Sequence, residues 1–433
     1  MEHLARPLAH RGARPTSIRL LRGIGVALLI VLALLLLAAL ALPVGLLPFA
    51  TAVPAPLWAL LALADVATLV AAFRLAPRRW MAWAISLAGW ALIAALAVGA
   101  SQRFATTPPI LGADGRPLPG SVASLEQVEL NGSRQWITVR GRDTDKPVLL
   151  FLSGGPGGSQ LAATRIVLGE LERHFVVVNW DQPGAGKSYD AVPFDQLTPE
   201  RYIADGLALT RQLRARFGQR QIYLVGESWG TALGVWMAQR EPQHFAAVVS
   251  VAQMVDFAQT DIDCYTLALQ IARERGDAKT AASLEAQGPP PYTGNVIDKE
   301  APYLMYLTSA MDRNPAIHSP GYNTLGEIGG PEYGLYDKVN YVRGVLDSYN
   351  AMWPQLWGAD LRTQATRLEV PVYIIEGRHD INASPYLAED YVSRLEAPHK
   401  ELIWFEHSGH NPWRNETAHF VEVMVGQVLA QAE

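Results

Sequence analysis

The sequence predicts a doubly wound α/β domain with a mostly parallel sheet and a helical cap insertion, preceded by transmembrane α-helices. Three observations predict it. Composition changes sharply near residue 104, short apolar runs beyond that point alternate with amphipathic helical stretches, and one stretch over 255–360 breaks the alternation. At 433 residues the chain has room for one large domain with additions, or for two to three ordinary ones. The formal net charge of −5 comes with no basic stripe carrying interleaved aromatics, which argues against a nucleic-acid groove. The one cysteine, Cys264, rules out an intrachain disulfide and any multi-cysteine metal site.

Residues 1–104 read as a membrane region that takes the lipid bilayer as partner. Three apolar stretches, 23–47, 57–73 and 80–100, approach the ~17–25 residues a helix needs to cross hydrocarbon. The first follows Arg6, Arg11, Arg14, Arg19 and Arg22 and on its own resembles a signal peptide, but two further stretches behind it favour a three-span anchor. Arginine is dense in the N-terminal tail and in the second connection (Arg74, Arg78, Arg79), whereas the first connection, 43–56, has no lysine or arginine. The positive-inside bias then puts the N-terminus in the cytoplasm and everything beyond Arg103 outside it. Asp65 lies in the short second span, where a carboxylate costs roughly 2.5–3.5 kcal/mol on insertion scales, so it is expected to face the other helices or water. Were that segment only to lie on the surface, the remainder of the chain would face the cytoplasm.

The soluble part divides into core residues 105–254, an insertion over 255–360 and core residues 361–433. "QVELNGSRQWITVRG" reads as a hairpin turning at Asn131-Gly132. "PVLLFLS", "FVVVNW", "QIYLVG", "AAVVSVA", "PVYIIEG" and "ELIWFE" are near-continuous apolar runs, the pattern of strands covered on both faces. Between them, residues 198–218 open with a Thr cap and a first-turn Pro and close on Gly218, with Ile203, Leu207 and Leu213 toward the sheet and Arg211, Arg214 and Arg216 toward water. Strand-helix alternation with short connections argues a doubly wound sheet, whose ligand site lies at the carboxyl ends of the strands. The insertion is rich in aromatics, among them Tyr303, Tyr306, Tyr333, Tyr336, Tyr341 and Trp353, and is expected to cap those strand ends.

"NWDQPGAGKS" looks like half of a phosphate-binding loop. A Walker loop needs a glycine five residues before its Gly-Lys-Ser, so that backbone N–H groups curl around phosphate. Asp181 stands there instead, and a carboxylate repels phosphate, so no nucleotide is expected.

The strand "QIYLVG" runs into "GESWG" and then into a helical stretch. This is G-x-S-x-G in strand-turn-helix context, which holds a serine hydroxyl, here Ser228, on a sharp turn above a parallel sheet. Serine needs a base, and the base an orienting carboxylate, arriving from later strand ends. Asp380 in "IIEGRHD" and His410 in "LIWFEHSGHNP" sit at those ends in the required order. Asp380 is also a candidate helix cap, and His379, His399 and His419 are other candidate bases. His407 and His410 form an H-x-x-H pair, but no third ligand is near in sequence, so no metal and no cofactor are expected. Oxyanion donors come from the backbone N–H of Trp229 and from the glycine loop "SGGPGGS", residues 153–159.

From about residue 127 onward these residues resemble the α/β-hydrolases of the prolyl iminopeptidase family. "SGGPGG" resembles the family's His-Gly-Gly-Pro-Gly oxyanion loop with Ser153 in place of the histidine, and the resemblance makes Gly155 the second oxyanion donor. "DQPGAGKS" resembles the family's Asp-Gln-Arg-Gly-x-Gly-x-Ser loop with Pro183 in place of the arginine, which implies a loop lining the hydrolase site. "GESWG", "GRHD" and "SGHNP" resemble the nucleophile, acid and base segments. Family members bind a free N-terminal amine with carboxylates from the cap, for which Asp256, Asp261 and Asp263 are the candidates here. The resemblance implies a serine hydrolase, an aminopeptidase releasing an N-terminal proline-type residue from small peptides, and the three apolar stretches make it a membrane-anchored one. An esterase or amidase acting on small acyl substrates and a non-enzymatic binding module are the alternatives.

Overall fold

The computed structural model describes residues 16–319 and 324–431. The chain divides after Ser101 into two compact units. The first holds helices Thr16–Ala50 and Ala55–Leu75 and most of Arg79–Arg103. Ile24–Ala50, Ala55–Leu75 and Arg79–Arg103 are each long and apolar enough to cross a membrane. Even the 21-residue second helix, at about 1.5 Å per residue, matches a hydrocarbon core of about 30 Å.

The first connection is shorter than the sequence suggests. Helix Thr16–Ala50 continues through Pro43 and Pro48, leaving residues 51–54 as the link. Each proline removes one backbone donor, a loss that lipid-spanning helices absorb by local adjustment. Asp65 is buried, and Trp90 donates its indole N–H to the Asp65 carbonyl oxygen at 2.8 Å. The second and third helices approach closely at Gly89, where a Cβ would lie 2.4 Å from Thr68 Cγ2.

The second unit is built on an eight-stranded sheet of order β1-β2-β4-β3-β5-β6-β7-β8. Its strands are β1 (Val122–Leu130), β2 (Ser133–Gly141), β3 (Val148–Leu152), β4 (Val176–Asp181), β5 (Ile222–Glu227), β6 (Phe245–Val251), β7 (Val372–Gly377) and β8 (Lys400–Phe405). β1 and β2 form the hairpin, with φ of 46° at Asn131 and 82° at Gly132, the paired positive values of a tight two-residue turn. β2 also runs antiparallel to β4, and every later pairing is parallel. All residues of β3, β4 and β5 are buried, which is why their sequences are apolar without alternation.

Helix Pro199–Arg216 begins where Thr198 accepts from the Arg201 N–H, and it buries Ile203, Leu207 and Leu213. The same face buries Asp205, which the apolar pattern did not single out. Asp205 accepts from Asn131, Gln135 and Arg201 at 2.6–2.8 Å, pinning the hairpin turn to the helix.

Between β6 and β7 the chain leaves the sheet for an excursion that includes helices Phe257–Glu274, Ala278–Gln287, Ile297–Asp312, Thr324–Ile328 and Leu335–Leu356. The excursion closes at its neck, where Asp256 and Asp360 form an isolated β-bridge. Arg362 grips both, at 2.5 Å to Asp256 and 2.9 Å to Asp360.

Candidate active site

At the end of β5 the chain turns abruptly. Ser228 has φ 50° and ψ −120°, a conformation L-residues rarely adopt, and it directly precedes helix Trp229–Arg240. The turn is held by the Ser228 N–H donating to Val251 O at 2.9 Å. It also requires glycine on both sides. A Cβ at Gly226 would lie 2.3 Å from Gly230 O, and one at Gly230 would lie 2.3 Å from Leu152 O. The pentapeptide thus has no room for larger side chains where strand and helix cross.

The loop after β7 carries Asp380, whose side chain is fully buried. One carboxylate oxygen accepts the backbone N–H of Asn382 at 2.7 Å and of Ala383 at 3.1 Å. The other faces His410 Nδ1 at 2.8 Å, on the loop after β8. Asp380 therefore does not cap helix Pro385–Arg394; it orders its own loop and holds the imidazole. Burial alone would lower the His410 pKa, but the Asp380 charge and hydrogen bond, with a smaller contribution from Glu227, outweigh it and raise the value above 6.5. With Nδ1 committed to Asp380, Nε2 is the nitrogen left for proton transfer.

Ser228 and His410 meet across a cavity of about 120 Å³. Gly155, Met254 and Asn382 line it beside them. Gly155 has φ 125°, and a Cβ there would sit 2.7 Å from two backbone nitrogens of its own loop. That loop is braced from behind by the stretch 181–188. Ser159 donates to Asp181, Gln182 donates to Ser153 O at 3.1 Å, and Trp229 donates its indole N–H to Gln182 at 2.9 Å. Burial pushes the Asp181 carboxyl up to about 7, against the lowering effect of the Ser159 and Lys187 hydrogen bonds. What looked like half a phosphate cradle is a buttress for the glycine loop and the nucleophile turn.

The insertion supplies Thr260, Asp261, Cys264, Leu304, Tyr349 and Trp353 to the same cavity. Asp261 lines the cavity, accepts the Tyr303 hydroxyl and lies 3.4 Å from Trp353 Nε1. Glu300 is fully buried beside it and accepts the Tyr349 hydroxyl. Burial raises both carboxyls, and the neighbouring Asp261 pushes Glu300 further, up to about 9, while the hydrogen bond from Glu300 works to lower Asp261. Such a pair holds one proton between them at neutral pH.

The structure brings Ser228, Asp380, His410, Gly155 and Trp229 to one end of the sheet. It separates the three aspartates. Only Asp261 reaches the cavity. Asp256 caps helix Phe257–Glu274 through the Gln259 N–H and is ion-paired to Arg362. Asp263 accepts from Gln259, Ser384 and Tyr386, two residues and about 200° around the helix from Asp261. Glu300 was missed by sequence reasoning, because no spacing links it to Asp261 before the helices pack. Three of the other histidines singled out in the sequence pack against aromatic rings. His407 stacks on His318 at 4.3 Å, His399 lies against Tyr373 and His419 against Phe405.

Comparison with known proteins agrees with this fold. Residues 147–272 match the family model described as alpha/beta hydrolase fold. A Bacillus subtilis protein named "Probable aminopeptidase YbaC" is 29% identical over 314 residues, covering 71% of this chain and 97% of that one. A proline iminopeptidase of Lactobacillus delbrueckii subsp. lactis is 24% identical over 296 residues, covering 67% and 93%. The protein has the α/β-hydrolase fold and is similar to aminopeptidases of the prolyl iminopeptidase type. The crystal structure of a proline iminopeptidase from Mycobacterium smegmatis shares the fold of this hydrolase, with a TM-score of 0.51 at 21% identity over 71% of this chain and 98% of that one.

Proposed function

We propose that this hydrolase is a membrane-anchored serine aminopeptidase that releases a proline-type N-terminal residue from small peptides through an acyl-enzyme on Ser228. The observation that carries the reading is one cavity with two unlike walls. One has Ser228 and His410, the latter held by Asp380; the other has Asp261, backed by the buried Glu300.

The chemistry follows from the placement. His410 Nε2 takes the Ser228 proton as the hydroxyl oxygen bonds to the scissile carbonyl carbon, and Asp380 stabilises the imidazolium. The backbone N–H groups of Gly155 and Trp229 receive the oxyanion. His410 then returns its proton to the leaving nitrogen as the C–N bond breaks, and water releases the acyl group by the same steps. The substrate ammonium lies against Asp261 and Glu300, whose pair retains one negative charge to meet it. At about 120 Å³ the cavity is smaller than the ~150 Å³ that accepts a benzene-sized ring. It therefore favours a single compact residue, and the Tyr349–Trp353 stack at 4.4 Å offers that residue a flat apolar face.

The three N-terminal helices tether the enzyme, and the arginine asymmetry around them places the hydrolase on the extracytoplasmic side. Residues 105–254 and 361–433 form the core in this reading, and 255–360 the cap that selects substrate. The test is chromophore release from prolyl p-nitroanilide by the full-length protein in detergent, with Ser228→Ala as the blank. Serine-dependent release is expected. Equal release by both proteins would overturn the assignment.

A further inference from the structure

Glu227 immediately precedes the nucleophile, and its side chain is buried. One carboxylate oxygen accepts Trp413 Nε1 at 2.9 Å, and the other accepts from Gln160 Nε2. Gln160 directly follows the glycine loop 153–159, and Trp413 lies three residues beyond His410. One carboxylate therefore touches all three segments that must keep register for the reaction: oxyanion loop, nucleophile turn and base loop. Gly154 packs over it, where a Cβ would lie 3.3 Å from Glu227 O and 3.6 Å from Oε2.

Tying three loops together does not by itself call for a charge. A buried charge is costly to desolvate, and a neutral side chain of the same shape would fill the space more cheaply. The charge does act on one neighbour: it favours protonated His410, adding to Asp380. The other titratable groups on the cavity wall, Asp261, Cys264 and Tyr349, belong to the insertion.

We propose that Glu227 is a positioning residue for hydrolysis, holding the oxyanion, nucleophile and base loops in register and adding its charge to that of Asp380 near His410. The proposal rests on the serine-hydrolase reading above. In it, the proton that leaves Ser228 Oγ resides on an imidazolium near two carboxylates, one hydrogen-bonded and one acting through space.

The test is the second-order rate of inactivation by a serine-directed phosphonate against pH, a readout that needs no knowledge of the natural substrate. It uses full-length parent, Glu227→Gln, Glu227→Asp and Ser228→Ala in detergent. Removing the charge with Glu227→Gln is expected to lower the plateau rate about 10- to 100-fold. It should also move the acid-limb midpoint down by roughly half to one pH unit. Glu227→Asp keeps the charge but cannot span both donors, so it should lose rate with its midpoint close to the parent's. A purely structural lesion would lower the rate and leave the midpoint in place for both variants. Glu227→Gln with the parent's midpoint overturns the proposal, and so does Glu227→Asp with the parent's rate should the glutamine variant fail to fold. A parent that does not react removes the serine reading itself, whereas a reactive parent with unaltered variants removes Glu227 alone.

Discussion

The two walls of the cavity present carboxyl groups in opposite conditions. Asp380 receives two backbone N–H bonds and an imidazole, so its negative charge is fixed where His410 needs it. Asp261 and Glu300 are buried with tyrosine hydroxyls and with each other, and both resist ionisation. The difference is one of preorganisation. Backbone amides on a rigid sheet edge fix the orientation of the Asp380 carboxylate, whereas side chains in the insertion hold a proton that an incoming cation can displace. The first wall suits chemistry and the second suits selection.

Substitutions on each wall should therefore fail in different ways. The largest effect belongs to Ser228→Ala, expected to lower kcat on prolyl p-nitroanilide by about 10⁴–10⁶-fold. Folding of the variant is checked by its thermal transition in detergent. Asp380→Asn removes the charge and favours the wrong imidazole tautomer, with an expected loss of about 10⁴-fold in kcat and little change in KM. Near-parental kcat in that variant would place the acid elsewhere. Asp261→Asn should raise KM for free-amine substrates and lower kcat/KM by about 100-fold, the order expected when one partner of a buried charge pair is removed. Reactivity toward the phosphonate should persist in it, and its loss would mean that the insertion wall supports the chemistry as well.

The pH dependence separates the walls further. His410 has a raised pKa and must be neutral to act as base, so kcat/KM should rise with pH through a midpoint above 6.5. Asp261 is also raised, so KM for free-amine substrates should climb on acidification at a higher pH than the ordinary aspartate value of 3.8 would give. A KM flat down to the ordinary carboxylate range would contradict the shared-proton picture. The smallest effect belongs to Tyr349→Phe, which removes one donor to Glu300. Loss of such a bond is worth about 1–3 kcal/mol at the site, read as a rise in KM for amine substrates with the phosphonate rate unchanged.

The first wall was legible in the sequence because its chemistry is local. "GESWG" between an apolar strand and a helix, and Asp380 and His410 just past two further strands, each follow from a stretch of about ten residues. The sheet was readable for the same reason, since β3 to β7 are continuous apolar runs. The second wall was not. Asp256, Asp261 and Asp263 look alike in sequence, and only the turn of helix Phe257–Glu274 sends Asp261 inward while Asp256 caps its start. Glu300 comes from another helix and joins Asp261 only through packing around Tyr303 and Tyr349. Asp205 was hidden likewise, because a buried acid that ties a hairpin to a helix has no periodic signature. Glu227 sat in plain view within the nucleophile motif, but its partners Gln160 and Trp413 lie 67 and 186 residues away.

The central claim is that one wall performs hydrolysis while the other reads a free amine. The most direct measurement is kcat/KM for prolyl p-nitroanilide against its N-acetylated counterpart, on parent and Asp261→Asn proteins. Acetylation is expected to lower the parent's value by about 100-fold or more, consistent with loss of a buried charge pair, and to change the variant's value little. Equal turnover of both substrates by the parent would contradict the account, leaving an esterase or amidase in which the acidic pair has no part in choosing the substrate.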